Sequence, residues 1–227
     1  MSDLLRGVDV PAALRDLRSR PVNFTDAEVD TSGWHHDVSR RAVAHERPGP
    51  PEPGGPWEVA CRLVRDYEFS DPVRIRAVYD TRDGLLGRTM LLQGRFGGLR
   101  FHMGVRVTTV TDEIRAGHRV WGWAYDTLQG HLERGRMHYE VVKDLRSGAV
   151  EFVVSGFSQR CPDLGPLLRA GWWLFGRRTQ LRFYRDCGQR LRNLVRDARS
   201  GATPPTAVRD GPFVLAPSCF TGGTCPT

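Results

Sequence analysis

Between Trp121 and Met137 the chain reads WGWAYDTLQGHLERGRM. A phenol (Tyr125), a hydroxyl (Thr127), an imidazole (His131) and a carboxylate (Glu133) lie close together there, beside Trp121 and Trp123. An imidazole can serve as a general base or as a hydrogen-bond anchor, a carboxylate can orient it, and a phenol can donate to an oxygen. His131, Glu133 and Tyr125 are therefore the candidate catalytic residues. Tyr125, Thr127, His131 and Trp123 are candidate ligand contacts, because small-molecule sites combine an apolar wall with a few placed polar groups. A second set lies upstream, in LRFHMGVRVTTV. Strand alternation puts His102 and Arg106 on one face, opposite Phe101, Met103 and Val105. If that face lines a cavity, Arg106 could hold a carboxylate or phosphate of a ligand. The alternative is an open, solvent-facing sheet surface.

The same motif has a structural reading. Gly130 would supply an unusual backbone angle, Thr127 and His131 would bond buried amides, and Tyr125 would be core. Trp121 and Trp123 share a strand face and fit a core as well as a stacking platform.

The elements that must position these residues follow from periodicity. RTMLLQGRF and LRFHMGVRVTTV flank Gly97-Gly98, a two-residue hairpin signal. HRVWGWAYDTL follows the turn TDEIRAG, and RMHYEVVKD and AVEFVVSGFS flank LRSG. About five strands in meander order are expected. A helix over Pro56–Tyr67 carries Trp57, Ala60, Cys61, Val64 and Tyr67 on one face. SDPVRIRAVYD fits either an extended segment or a short helix. A long helix over Pro166–Arg199 has an apolar stripe (Leu181, Tyr184, Cys187, Leu191, Leu194, Val195) and an arginine stripe (Arg178, Arg182, Arg185, Arg192, Arg196, Arg199). Helix, meander sheet and long amphipathic helix make an α+β pattern in which an antiparallel sheet curves around the last helix, the helix-grip arrangement. Residues 1–20 read as a helical arm with Pro11 in its first turn, 21–199 as one domain, and 200–227 as a mostly disordered tail rich in Pro, Gly and Thr. Residues 30–56 read as irregular, ending in RPGPPEPGGP.

Composition bounds the rest. At 227 residues and 40% hydrophobic content, the chain fits one domain with a real core. The N-terminus has no secretory pattern and no segment is long and apolar enough to span a bilayer, so a cytoplasmic location is expected. Of 33 basic residues all but Lys143 are arginine, the bias of a GC-rich coding sequence, so the net charge of +7 is a weak sign of nucleic-acid binding. The five cysteines form no C-x-x-C pair, and no metal site, cofactor or disulfide framework is expected. Cys219 and Cys225 fall in the tail.

Tyr125, Thr127, Leu128, Gly130, His131, Glu133 and Ser158 occupy the positions of a recurring pattern: Y-x-T-L-x-G-H at a strand end, a Glu-containing turn, and a following strand that ends in Ser. With NFTDAEVD, GWHHD, PGPPEPGGPWE, YEFSDP, AVYD, GRTMLL and FGRR in the same order, residues 20–195 resemble domain-of-unknown-function family nineteen-ninety. The resemblance implies kinship with the START and polyketide-cyclase helix-grip proteins, which bind hydrophobic molecules and some of which are enzymes. It assigns no catalytic residue.

Three functions are therefore expected to compete. One is binding of a small hydrophobic or amphipathic molecule in a helix-grip cavity. A second is a cyclase, dehydratase or isomerase using the same cavity. The third is a surface module whose arginine stripe meets membrane or RNA.

Overall fold

The structure, a computed structural model, describes residues 4–218 apart from 6, 30, 97–98, 162–165, 204 and 206. The elements are α1 (Val10–Ser19), α2 (Asp26–Val29), β1 (His35–His45), α3 (Pro56–Arg65), β2 (Ile75–Asp80), β3 (Thr89–Phe96), β4 (Leu99–Arg115), β5 (His118–Thr127), β6 (Glu133–Asp144), β7 (Ala149–Arg160), α4 (Pro166–Arg199), β8 (Val208–Asp210) and β9 (Phe213–Ala216). The strands make one antiparallel sheet in the order β1-β7-β6-β5-β4-β3-β2-β9-β8. The expected meander is its centre, from β3 to β7. The fold is α+β, with α4 packed on the inner face of the sheet, as the helix-grip reading requires.

Four differences from expectation have physical causes. β1 pairs with β7 at the sheet edge, where one half-buried face lets a polar sequence such as HHDVSRRAVAH form a strand. The ambiguous SDPVRIRAVYD contains β2. Most of TDEIRAG is strand: β4 runs to Arg115 and only Ala116 and Gly117, both at positive φ, turn the chain. The tail does not stay unpaired, since β9 zips onto β2 and buries Val214, Leu215 and Ala216. Beyond it Ser218 gives its amide and hydroxyl to the buried carboxylate of Glu68 (3.0 and 2.8 Å), while Arg190 of α4 reaches the Ser218 carbonyl. Gly97, Gly98, Cys219, Cys225 and the side chains of Arg178 and Leu181 lie outside the described residues.

The inner sheet face is covered, and the outer face is covered over part of the sheet. On the inner face α3 and α4 bury Trp57, Val64, Tyr184, Cys187 and Leu191 against Trp123, Tyr139 and Phe152. On the outer face α1 buries Leu14 and Leu17 against Val78, Leu91, Leu128 and Leu215. The unbroken apolar run Met90–Leu92 of β3 is the sequence mark of a strand buried on both sides. Inner-face burial ends at a dry ion pair. Lys143 Nζ donates to Glu46 Oε2 at 2.6 Å and to the Pro50 carbonyl at 2.9 Å, and both side chains are fully buried. Glu46 also accepts the Trp57 amide (2.7 Å), so one carboxylate fixes the Pro/Gly loop and the first turn of α3.

Candidate functional site: phenols under the last helix

The residues expected to form one site divide among three places. Trp123 and Tyr125 lie on the inner face of β5, as alternation requires. Trp123 is core: it is buried and its indole Nε1 donates to the Val64 carbonyl at 3.1 Å.

Thr127 and His131 build a corner at the end of β5. The Thr127 hydroxyl donates to Asn23 Oδ1 (2.6 Å) and accepts the Gly135 amide (2.9 Å). Asn23 Nδ2 donates to the Glu133 carbonyl (3.1 Å), and an isolated bridge pairs Val22 with Leu128. Gly130 takes φ +90°, the angle the motif called for. His131 Nδ1 is held between the amide (2.9 Å) and carbonyl (3.0 Å) of Glu133, so these contacts come from the Glu133 backbone rather than its carboxylate. Burial pushes the imidazole pKa down to about 4. At neutral pH such a ring is a weak base with one nitrogen already consumed, which suits a structural corner better than proton transfer.

His102 and Arg106 do share a strand face, but it is the outer one. The cavity-lining expectation for them is corrected, and so is its alternative of an open surface around Arg106. Arg106 Nη2 donates to the carbonyls of Leu17, Arg18 and Arg20, each at 3.0 Å, and so satisfies the exposed carbonyl end of α1. His102 is exposed and its Nε2 lies 3.1 Å from Gln93 Nε2. Alternation reveals which residues share a face but not which face is the inner one.

What lies beside Tyr125 was not foreseen. Tyr139 of β6 donates its hydroxyl to that of Tyr125 at 3.3 Å. Tyr67, just past α3, packs edge-on against Tyr139 with ring centroids 6.5 Å apart. Tyr67 is 1% exposed, and its hydroxyl makes no well-formed hydrogen bond among the described residues, although Ser70 and Tyr139 lie near enough to act on it. Its φ is +62°, an angle a bulky side chain rarely adopts. Burial pushes the Tyr67 and Tyr139 phenols well up, and Tyr125 up to about 12, the Glu133 carboxylate adding to the last. All three are therefore neutral donors at physiological pH. Met137, Cys187 and Tyr184 close around them, with the Tyr184 hydroxyl 3.5 Å from Met137 sulfur. The sequence signal was faint: Tyr67 and Tyr139 look like ordinary apolar-face residues. Among the described residues no three His, Cys, Asp or Glu side chains gather to hold a metal ion, and no helix is long and apolar enough to cross a membrane.

The model of the family described as Domain of unknown function (DUF1990) matches residues 18–190. The chain belongs to the DUF1990 family. The match takes in the Tyr125–Glu133 motif, all three phenols and most of α4, whereas β8 and β9 lie beyond it. No curated protein matches the DUF1990 chain. Among solved structures it is similar to the Zhui aromatase/cyclase from a Streptomyces species, at 14% identity and TM-score 0.46 over 75% of this chain and 99% of that one. It is also similar to a Thalictrum flavum norcoclaurine synthase point mutant in complex with a transition-state analogue (11%, TM-score 0.44, 73% and 95%). A third is Ara h 8.0201 (10%, TM-score 0.39, 70% and 98%). At that level of likeness their activities do not transfer to this chain.

Proposed function

We propose that this DUF1990 domain is a binding module for a small hydrophobic or amphipathic molecule, held on the inner face of the sheet with its one polar end at the phenols of Tyr67, Tyr125 and Tyr139. The observation that carries this reading is the buried cluster of three neutral phenols, in which the Tyr67 hydroxyl, on a residue with left-handed backbone, makes no well-formed hydrogen bond and only loose contacts with Ser70 and Tyr139. A buried donor that is poorly paired costs up to about 1–3 kcal/mol, and an αL tyrosine adds to that cost. Such costs persist where they prepare a site, and an acceptor atom on a ligand would relieve the first. The chemistry that fits is a mostly apolar molecule with a carbonyl, ether or hydroxyl oxygen at one end. Neutral phenols inside aromatic walls do not favour a carboxylate, which would lose its hydration without gaining a countercharge. An enzymatic reading based on His131 as general base has no comparable support, given its corner role.

Native mass spectrometry of the purified chain tests the reading, with Tyr67→Phe as the variant. A co-purifying small molecule is expected, about tenfold more weakly held by the variant. In ligand-free protein the same substitution removes a poorly paired hydroxyl and should raise the unfolding midpoint. If Tyr67→Phe lowers that midpoint and no molecule co-purifies, the phenol is satisfied internally and the reading fails.

A further inference from the structure

On the outer side of α4, away from the phenols, the arginine stripe expected from the sequence is present. Arg182, Arg185, Arg192, Arg196 and Arg199 are exposed, whereas Phe183, Tyr184, Cys187, Leu191, Leu194 and Val195 are buried. The row extends over about 26 Å at the helical rise per residue. It is poorly neutralised. Residues 182–199 contain six arginines and two aspartates, in a chain whose whole net charge is +7. Asp186 lies 3.4 Å from Arg74 and 3.8 Å from Arg185, and Asp197 pairs with Arg196. Arg182 and Arg192 have no ion-pair partner among the described residues.

The helix dipole accounts for Arg196 and Arg199, which sit in the last turn. It does not account for Arg182, Arg185 and Arg192. A solvated helix face normally interleaves acids at i+4, and like charges at that spacing repel. The fold adds to the charge there. Arg41 of edge strand β1 lies across α4 at Gly188, where a Cβ would come within 2.8 Å of the Arg41 Cβ. The one bare position between Arg185 and Arg192 thus admits another guanidinium from the sheet.

We infer that α4 and Arg41 form a docking face for an anionic lipid bilayer. A straight row of guanidiniums matches a plane of phosphates, each able to accept two parallel hydrogen bonds. The apolar stripe of α4 is already spent in the core, so the contact is electrostatic, without insertion, and weakens with salt. Single-stranded RNA fits less well. The large hydrophobic residues exposed among the described ones are aliphatic: Val38, Val73, Leu86, Val110, Ile114 and Val208. A base-stacking platform would need exposed aromatic rings.

The full chain is sedimented with phosphatidylcholine vesicles, with or without phosphatidylserine, at low and near-physiological ionic strength. It should partition onto the phosphatidylserine vesicles alone, and less as salt rises. The variant R182Q/R185Q/R192Q should lose on the order of a hundredfold in partitioning. R15Q/R146Q/R209Q removes the same charge from exposed positions elsewhere and should lose far less. Equal losses in the two variants would mean that net charge alone drives binding, and would overturn the inference. So would equal binding to both vesicle types, no vesicle binding at low salt, or retention by single-stranded RNA without vesicle binding.

Discussion

The two faces of the sheet use their polar groups differently. At the outer face and the corner continuous with it through Leu128, the polar atoms named in the motif have settled partners. Arg106 spends one nitrogen on three carbonyls, Thr127 joins Asn23 to Gly135, and His131 Nδ1 is held by Glu133. On the inner face three phenols share one well-formed hydrogen bond, and Tyr67 has only loose contacts with Ser70 and Tyr139. Residue type alone would rank these faces the other way, since Arg, His and Glu look more reactive than Tyr. Hydrogen-bonding capacity left over after folding separates a site from a joint more reliably than residue type does.

Substitutions can break this contrast at graded strength. The largest effect is expected at Lys143, where the inner face does spend its polar groups. Glu46→Ala leaves a buried ammonium without its countercharge and should cost about 3–5 kcal/mol in urea unfolding. Pairing it with Lys143→Met should recover most of that loss. Next, Arg106→Ala should cost about 3 kcal/mol by freeing three carbonyls at and just past the end of α1, and Arg106→Lys should not rescue it. Ligand held at the phenols should be unaffected, and a loss there would join the two faces into one site.

The corner predicts a pH effect of similar or smaller size. His131 has a folded pKa of about 4 against 6.5 for the ordinary side chain. The unfolded chain therefore takes up the proton first. The stabilisation is whole above the unfolded pKa and is lost as pH falls toward the folded one, by roughly 2–3 kcal/mol over the window. His131→Gln should flatten that part of the stability profile, read as the urea midpoint between neutral pH and about pH 5. An unchanged slope would return His131 to the list of exposed, titratable candidates. The smallest effect, and the one most specific to the inner face, is the opposite pair of signs expected for Tyr67→Phe: a gain of about 1 kcal/mol in the empty protein and a loss in ligand affinity.

Much of the sheet was legible because its central strands are long and their hairpins local. The α4 stripes were legible because helical periodicity over so many turns is unambiguous. β8 and β9 were not, being three and four residues long, too short for a period, and ordered by pairing with β2 and by the Glu68–Ser218 contact. The sidedness of His102 and Arg106 was hidden because alternation fixes relative faces only. The run Met90–Leu92 held the missing clue that an outer layer existed. Tyr67 was hidden for a different reason: its left-handed backbone belongs to no propensity, and only its three-dimensional neighbours reveal a poorly paired hydroxyl.

Lys143 has one more consequence. It is the only lysine in the chain, and its ammonium is sealed from solvent. An acylating reagent therefore meets no lysine amine on the folded surface. Enzymes that acetylate, methylate or conjugate ubiquitin to lysine face the same barrier. Covalent marking of this side chain would report opening of the fold itself, so the rate of labelling at a single atom becomes a clock for how often the inner face comes apart.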